Sequence, residues 1–296
     1  MALGGGHWVW TAVLRYLFTI FIVATWLVVS KDFRYLVQVG RVFLRYPIFW
    51  IVVGSFACGL FYTGIAFSST YLRGWVVAAT WQITVLASPI VMFLFGYRFP
   101  KRGFVFSLVV LVGVACINWE FGIENASSNI AMAGIFALVI SAFAYPIGNQ
   151  LLNSAKNGGL AYVPHIKSDV LNNAFAAILL MALGSIPFGA VLLAITQPPM
   201  PSFDQYVQTF FVALFAGVLA TAVFLYARNK TSKPFMIIAI DTTQSAEVLF
   251  ALAFELMFIN PAVPSVYQII GVVIVGLGLS GYCLWTVPAK NPVEHS

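Results

Sequence analysis

Residues 8–30 read WVWTAVLRYLFTIFIVATWLVVS, an apolar run broken by one charge, Arg15. About 20 such residues cross the hydrocarbon core of a bilayer as a helix. In hydrocarbon every backbone N–H and C=O must be paired within its own segment, so a run of this length means helix. A barrel strand needs only about half of it. The run is read as a span rather than a signal peptide, because no basic residue precedes it and no small-residue cleavage site follows. Outward along the chain, the runs 48–70, 75–97, 103–119, 131–153, 172–196, 206–227, 235–258 and 264–286 satisfy the same test. The prediction is an all-α polytopic membrane protein, a helical bundle of about nine transmembrane helices.

Composition agrees. The 296 residues are 61% hydrophobic and 8% charged, with a mean hydropathy of +0.95. Soluble domains carry about 25% charged residues, so this chain cannot clothe a water-facing surface. Disorder, a collagen-like fibre, nucleic-acid binding and a secreted disulfide scaffold are excluded. Cys58, Cys116 and Cys283 fall inside apolar runs without metal-type spacing and are read as buried free thiols.

The net charge of +6 is a statement about topology. One side of the bundle receives Lys31, Arg34, Arg41, Arg45, Arg98, Lys101, Arg102, Lys156, Lys167, Arg228, Lys230, Lys233 and Lys290, thirteen of the fifteen basic residues. The other side receives Arg73 with Glu120, Glu124 and Asp204. The basic side is therefore expected to be cytoplasmic, in a multi-pass protein of the cytoplasmic (inner) membrane. The C-terminus is then inside, and the N-terminus outside if the chain is complete as given. Residues 31–47 (KDFRYLVQVGRVFLRYP) place Lys31, Arg34, Gln38, Arg41 and Arg45 on one side of a helix and Phe33, Leu36, Phe43 and Leu44 opposite. This segment is expected to lie as a basic amphipathic helix on the inner leaflet.

One long-range echo runs through the chain. Gly59-Leu-Phe-Tyr-Thr63 followed by Trp81-Gln82 recurs as Gly217-Val-Leu-Ala-Thr221 followed by Thr243-Gln244. The apolar helix around Gly113 recurs around Gly276. The copies are offset by five spans, so they point in opposite directions, as in the inverted repeats of secondary transporters. The division is 1–120, a first repeat of four helices, and 121–296, a second repeat of five. The counterpart of span 131–153 would lie before residue 1, so the first helix of the first repeat is expected to be missing.

The stretches GGGHWVWTAVLRY (4–16), GWVVAATWQITVLASPIVMFLFG (74–96), GVLATAVFLYARNK (217–230) and DTTQSAEVLFALAFE (241–255) resemble the drug/metabolite transporter superfamily. Within it they look most like the ten-helix multidrug resistance efflux transporters. The resemblance implies two five-helix inverted repeats, a central cavity and secondary active export. It also implies cytoplasmic termini and a first helix that helps line the cavity, which this chain is expected to lack.

Charges at membrane depth point to function, since even the gentler scales charge about 2.5–3.5 kcal/mol for one at a helix centre. Arg15, Asp241, Glu247 and Glu255 qualify. Glu247, near the midpoint of span 235–258, reads as a protonatable carboxylate that could exchange a proton for a cation, or as a structural partner of Arg15, Gln82 or Gln244. Asp241 and Gln244 share a face of that helix. Arg15 could pair with Glu247 or Glu255. Trp81, Gln82, Tyr62, Tyr145 and Asn149 are further candidates for cavity lining, the aromatics by cation–π contact. Trp8, Trp10, Trp50, Trp75, Trp119 and Trp285, at span ends, read as interface belts. Glycines 271, 276, 278 and 281 make a smooth surface for close helix contact, within the chain or across a homodimer.

The expected activity is export of small organic solutes, cationic or drug-like, by alternating access with proton coupling. An amino-acid or metabolite exporter on the same fold is the alternative, and a non-transporting scaffold the remaining one. No enzyme constellation, metal cluster or nucleotide loop is visible. No cofactor is expected beyond the coupling ion.

Overall fold

The computed structural model describes residues 6–97, 101–124, 129–158, 160–231, 236–237, 240, 246–258 and 264–286. Among these there is no strand. The helices are α1 Trp8–Lys31, α2 Phe33–Arg45, α3 Pro47–Tyr71, α4 Gly74–Leu94, α5 Lys101–Glu124, α6 Asn129–Asn157, α7 Ala174–Thr196, α8 Phe203–Asn229, α9 Ala246–Phe258 and α10 Val266–Thr286. Six of them (α1, α3, α4, α6, α7 and α8) are long and apolar enough to cross a membrane. Helices α5 and α10 carry the shorter apolar stretches Val105–Trp119 and Val266–Gly281. Helix α9 fills the second half of the run 235–258.

Several of these helices are irregular, and the causes are local. Helix α3 turns π-helical over Ser55–Leu60 and α8 over Ala213–Ala220. The two stretches contain Gly59 and Gly217. Helix α4 stops at Trp81 and restarts at Thr84, with tight turns closing Gln82 N–H on Ala79 O and Ile83 N–H on Thr80 O. One turn on, Pro89 has no N–H for the carbonyl of Val85. Ser107 of α5 donates its hydroxyl to that oxygen at 3.4 Å, so a neighbouring helix restores the pairing that hydrocarbon demands.

Packing relies on glycine where backbones meet. Gly113 of α5 and Gly271 of α10 face each other: a Cβ on Gly113 would come within 2.8 Å of Gly271 O, and one on Gly271 within 2.7 Å of Gly113 O. Gly278 and Gly281 press on Val110 and Phe106 of α5, whereas Gly276 has nothing within 4 Å. Three of the four glycines thus serve contact inside the chain. Gly54 of α3 and Gly184 of α7 let a second pair of backbones touch. Polar side chains close the gaps: Asn118 Nδ2 donates to Thr80 Oγ1 at 2.9 Å, joining α5 to α4.

Helix α2 has three faces, not two. Val39 is fully buried, flanked by partly buried Tyr35, Leu36, Val42 and Phe43, against the bundle core. Arg34, Arg41 and Arg45 are exposed. Phe33, Val37 and Leu44 form a separate, exposed apolar row. Asp32, held at φ 113°, makes the corner with α1, and its carboxylate accepts from Tyr35 N–H at 3.0 Å. Trp50 closes the other corner by donating Nε1–H to Val42 O at 3.2 Å. Trp50 and Trp75 are both buried, which corrects their reading as interface belts; the indole of Trp50 has a partner inside the bundle. Cys58 and Cys116 are free thiols.

Candidate functional site

The helix irregularities converge on one place. A cavity of about 430 Å³ lies among α1, α3, α4, α6, α8 and α9. Phe61 and Tyr62 of α3 enter it directly after the π stretch ends at Leu60, and Thr221 and Phe224 of α8 follow the π stretch that ends at Ala220. Trp81 is the last residue before the break in α4, Tyr145 directly precedes Pro146 in α6, and Glu247 of α9 completes the lining. Such departures from the α-helical ladder change which face a residue presents and recur at functional sites.

The walls are aromatic. Phe61 lies 4.7 Å from Tyr62, 5.0 Å from Trp81 and 4.7 Å from Tyr145, centroid to centroid. Tyr145 continues the row to Phe224 at 5.8 Å. Into this row Arg15 of α1 inserts its guanidinium, 4.1 Å from the Tyr62 ring centroid. A cation over a ring face in a desolvated place gains on the order of 2 kcal/mol. Nε of Arg15 is buried without a hydrogen-bond partner. Glu247 faces the same cavity, within electrostatic reach of Arg15. Among the described residues neither joins an ion pair. Arg15 and Tyr62 also line a smaller hollow of about 30 Å³ with Trp8, Thr11 and Thr70. The stacked pair therefore stands between the two spaces.

Of the residues singled out in the sequence, Arg15, Tyr62, Trp81, Tyr145 and Glu247 come together here. Gln82 is buried and donates Nε2–H to Ala78 O of its own helix at 3.1 Å. Asn149 donates Nδ2–H to Tyr145 O at 3.0 Å, also within its own helix. Neither lines the cavity. Asp241 and Gln244 lie outside the described residues. Glu255 accepts from Trp75 N–H at 3.1 Å, at the N-terminus of α4 where a carboxylate is electrostatically favoured, so it is not the partner of Arg15. Phe61, Thr221 and Phe224 were not singled out. Phe61 belongs to the quoted Gly59–Thr63 stretch, and only the π turn before it decides that it points inward.

The chain matches the family model described as "Putative multidrug resistance efflux transporter" over residues 1–287. The chain belongs to that family. Two similar proteins are described as uncharacterised. One, protein YjlA of Bacillus subtilis (strain 168), is 29% identical over 306 aligned positions, spanning 98% of this chain and 90% of its own length. Another is a 42.1 kDa protein from the intracellular alkaline protease 3′ region of Shouchella clausii. It is 29% identical over 260 positions, spanning 83% of this chain and 64% of its own length. A solved crystal structure, described only as that of a protein, superposes with a TM-score of 0.58 at 13% identity, covering 96% of this chain and 89% of the other. That likeness concerns fold alone. As a member of the efflux transporter family the chain is a multi-pass membrane protein, and the cavity is the natural candidate for its solute site.

Proposed function

We propose that this chain is a secondary active transporter that exports small organic solutes across the cytoplasmic membrane by alternating access, with Glu247 as the proton-coupling group. The observation that carries the reading is the shared cavity: a carboxyl and a guanidinium at membrane depth, facing one aromatic-walled space of about 430 Å³. Ionisable groups there are expensive and are retained where they work on a substrate or an ion. Support for an inverted repeat, 1–120 against 121–296, comes from the π stretches around Gly59 and Gly217, the two glycines matched by the internal echo. Transporter sites between such repeats form at interrupted helices near the bilayer midplane. The basic side of the bundle faces the cytoplasm in this proposal, with α2 on the inner leaflet. Asp241 and Gln244 are retained as proposed contributors from the same helical run as Glu247.

Drug-like cations suit the acidic and aromatic groups. A second reading, amphoteric solutes such as aromatic amino acids, is favoured by Arg15, whose buried Nε has no partner of its own. Proteoliposomes with an imposed pH gradient test both. Glu247→Gln abolishes gradient-driven flux while leaving the fold intact. Arg15→Gln lowers flux of amino acids selectively if they are the cargo and spares a permanent cation. Unchanged flux in Glu247→Gln removes the coupling assignment.

A further inference from the structure

Three side chains line both the central cavity and the smaller hollow: Arg15 of α1, and Tyr62 and Ile65 of α3. They form the partition between the two spaces. Beyond it the hollow runs past Thr11, Ser69 and Thr70 to Trp8, which lies about 10 Å along α1 from Arg15 at 1.5 Å per residue. That is the end of the bundle at which α1 begins and α3 stops. Hydrogen bonds tie this end of α1 to α8: Gln205 Nε2 donates to His7 O at 2.8 Å and to Thr11 Oγ1 at 3.0 Å. Toward α3 the same end makes a ring contact, Trp8 edge-on to Phe67 at 5.2 Å. The hollow holds about 30 Å³, room for water and not for an organic solute, so passage at this end needs α1 and α3 to part.

The ordinary explanation of a guanidinium on a ring is packing. A packed arginine has its donors filled, because a buried donor left open is costly. Here the Nε–H is buried without a partner, and the guanidinium rests on the Tyr62 ring at 4.1 Å. A ring face attracts a cation through its quadrupole and leaves the N–H donors unbonded, which suits a group that has to leave. A second resting place is at hand. Glu247 lines the cavity, within electrostatic reach of Arg15, and among the described residues the two form no ion pair. We infer that Arg15 stacked on Tyr62 is a gate, closed in this structure, that opens when the guanidinium leaves the ring for Glu247. The inference rests on the cavity being the solute path, and the hollow is then its vestibule. Loss of the stack shifts the balance toward the open form without fixing it there.

The test uses the full chain in membrane vesicles of both orientations, with Cys58, Cys116 and Cys283 replaced by alanine. A charged, membrane-impermeant thiol reagent is added to one face at a time, with no solute and no gradient. Access and transport are thereby read apart: absent flux with an intact gate refutes the transport reading alone, and an absent gate with normal flux refutes this one alone. Ser69→Cys, in the hollow, reacts from the face at which α1 begins, and Ala78→Cys, in the cavity, reacts slowly from it. Tyr62→Leu speeds the reaction of Ala78→Cys from that face about tenfold or more, the weight of a desolvated cation–ring contact. Tyr62→Phe keeps the ring and leaves the reaction slow. Arg15→Met repeats the effect of Tyr62→Leu from the other partner. Ala142→Cys, fully buried and in neither space, stays unreactive wherever the fold is intact. If Tyr62→Leu fails that check, Arg15→Met carries the test. Unchanged rates on loss of the stack, an equal gain in Tyr62→Phe, or a Ser69→Cys that reacts from neither face overturns the inference.

Discussion

Ser107 shows how one hydroxyl can carry a backbone defect in a membrane. Pro89 leaves Val85 O without its helical donor, and Ser107 supplies one from the next helix. An unsatisfied buried acceptor costs about 1–3 kcal/mol. Ser107→Ala is therefore expected to destabilise the protein by about that amount in a detergent unfolding assay. In a Pro89→Ala background the residue-89 N–H returns, and the cost of Ser107→Ala falls well below its value in the wild type. A double-mutant cycle reads the difference directly. The pair Thr80 and Asn118 belongs to the same scale. Bridges of this kind inside membrane proteins couple by about 0.6 kcal/mol, so the cycle Thr80→Val with Asn118→Leu should return a value of that order and not several times it.

At the scale of elements, α5 and α10 depend on bare backbone. Gly271→Val drives methyl groups into Gly113 O and the Ile117 side chain and should cost about 1–3 kcal/mol or more. Gly276→Ala, on the same helix with open space around it, should be neutral within about 0.5 kcal/mol. Equal costs at both positions would show that the helices do not meet where described. Helix α2 makes a different kind of prediction. Its exposed Phe33, Val37 and Leu44 row is expected to sit in acyl chains, with Arg34, Arg41 and Arg45 at the headgroups. A spin label on Val37→Cys in nanodiscs should be protected from aqueous relaxation agents, and one on Gln38→Cys should not. The periodicity of residues 31–47 shows that this helix is amphipathic. It does not show that its apolar half divides into a protein-facing and an exposed row, because both consist of the same residue types.

For the whole molecule, the proposed orientation rests on the charge asymmetry of the connecting segments. Cysteines placed at Asn229 and Asn157, at the ends of α8 and α6, should be shielded from a membrane-impermeant thiol reagent in intact cells. One placed at Ser202, just before α8, should react. The reverse pattern would invert the proposed topology and place the cluster of thirteen basic residues outside.

Much of the architecture follows from composition. Helices of membrane-spanning length in runs such as 8–30 and 48–70 were readable because a backbone in hydrocarbon has no other way to satisfy itself. Arg15 and Glu247 stood out for the same reason, since a charge at that depth has no cheap excuse. Family membership was legible too, in stretches such as 74–96. Tertiary structure decided the rest. Gln82 and Asn149 bond to their own helices while Phe61 and Phe224 wall the cavity, and nothing in residue type separates the two pairs. Their directions are set by π turns and by one broken helix, and a single extra residue per turn rotates everything after it.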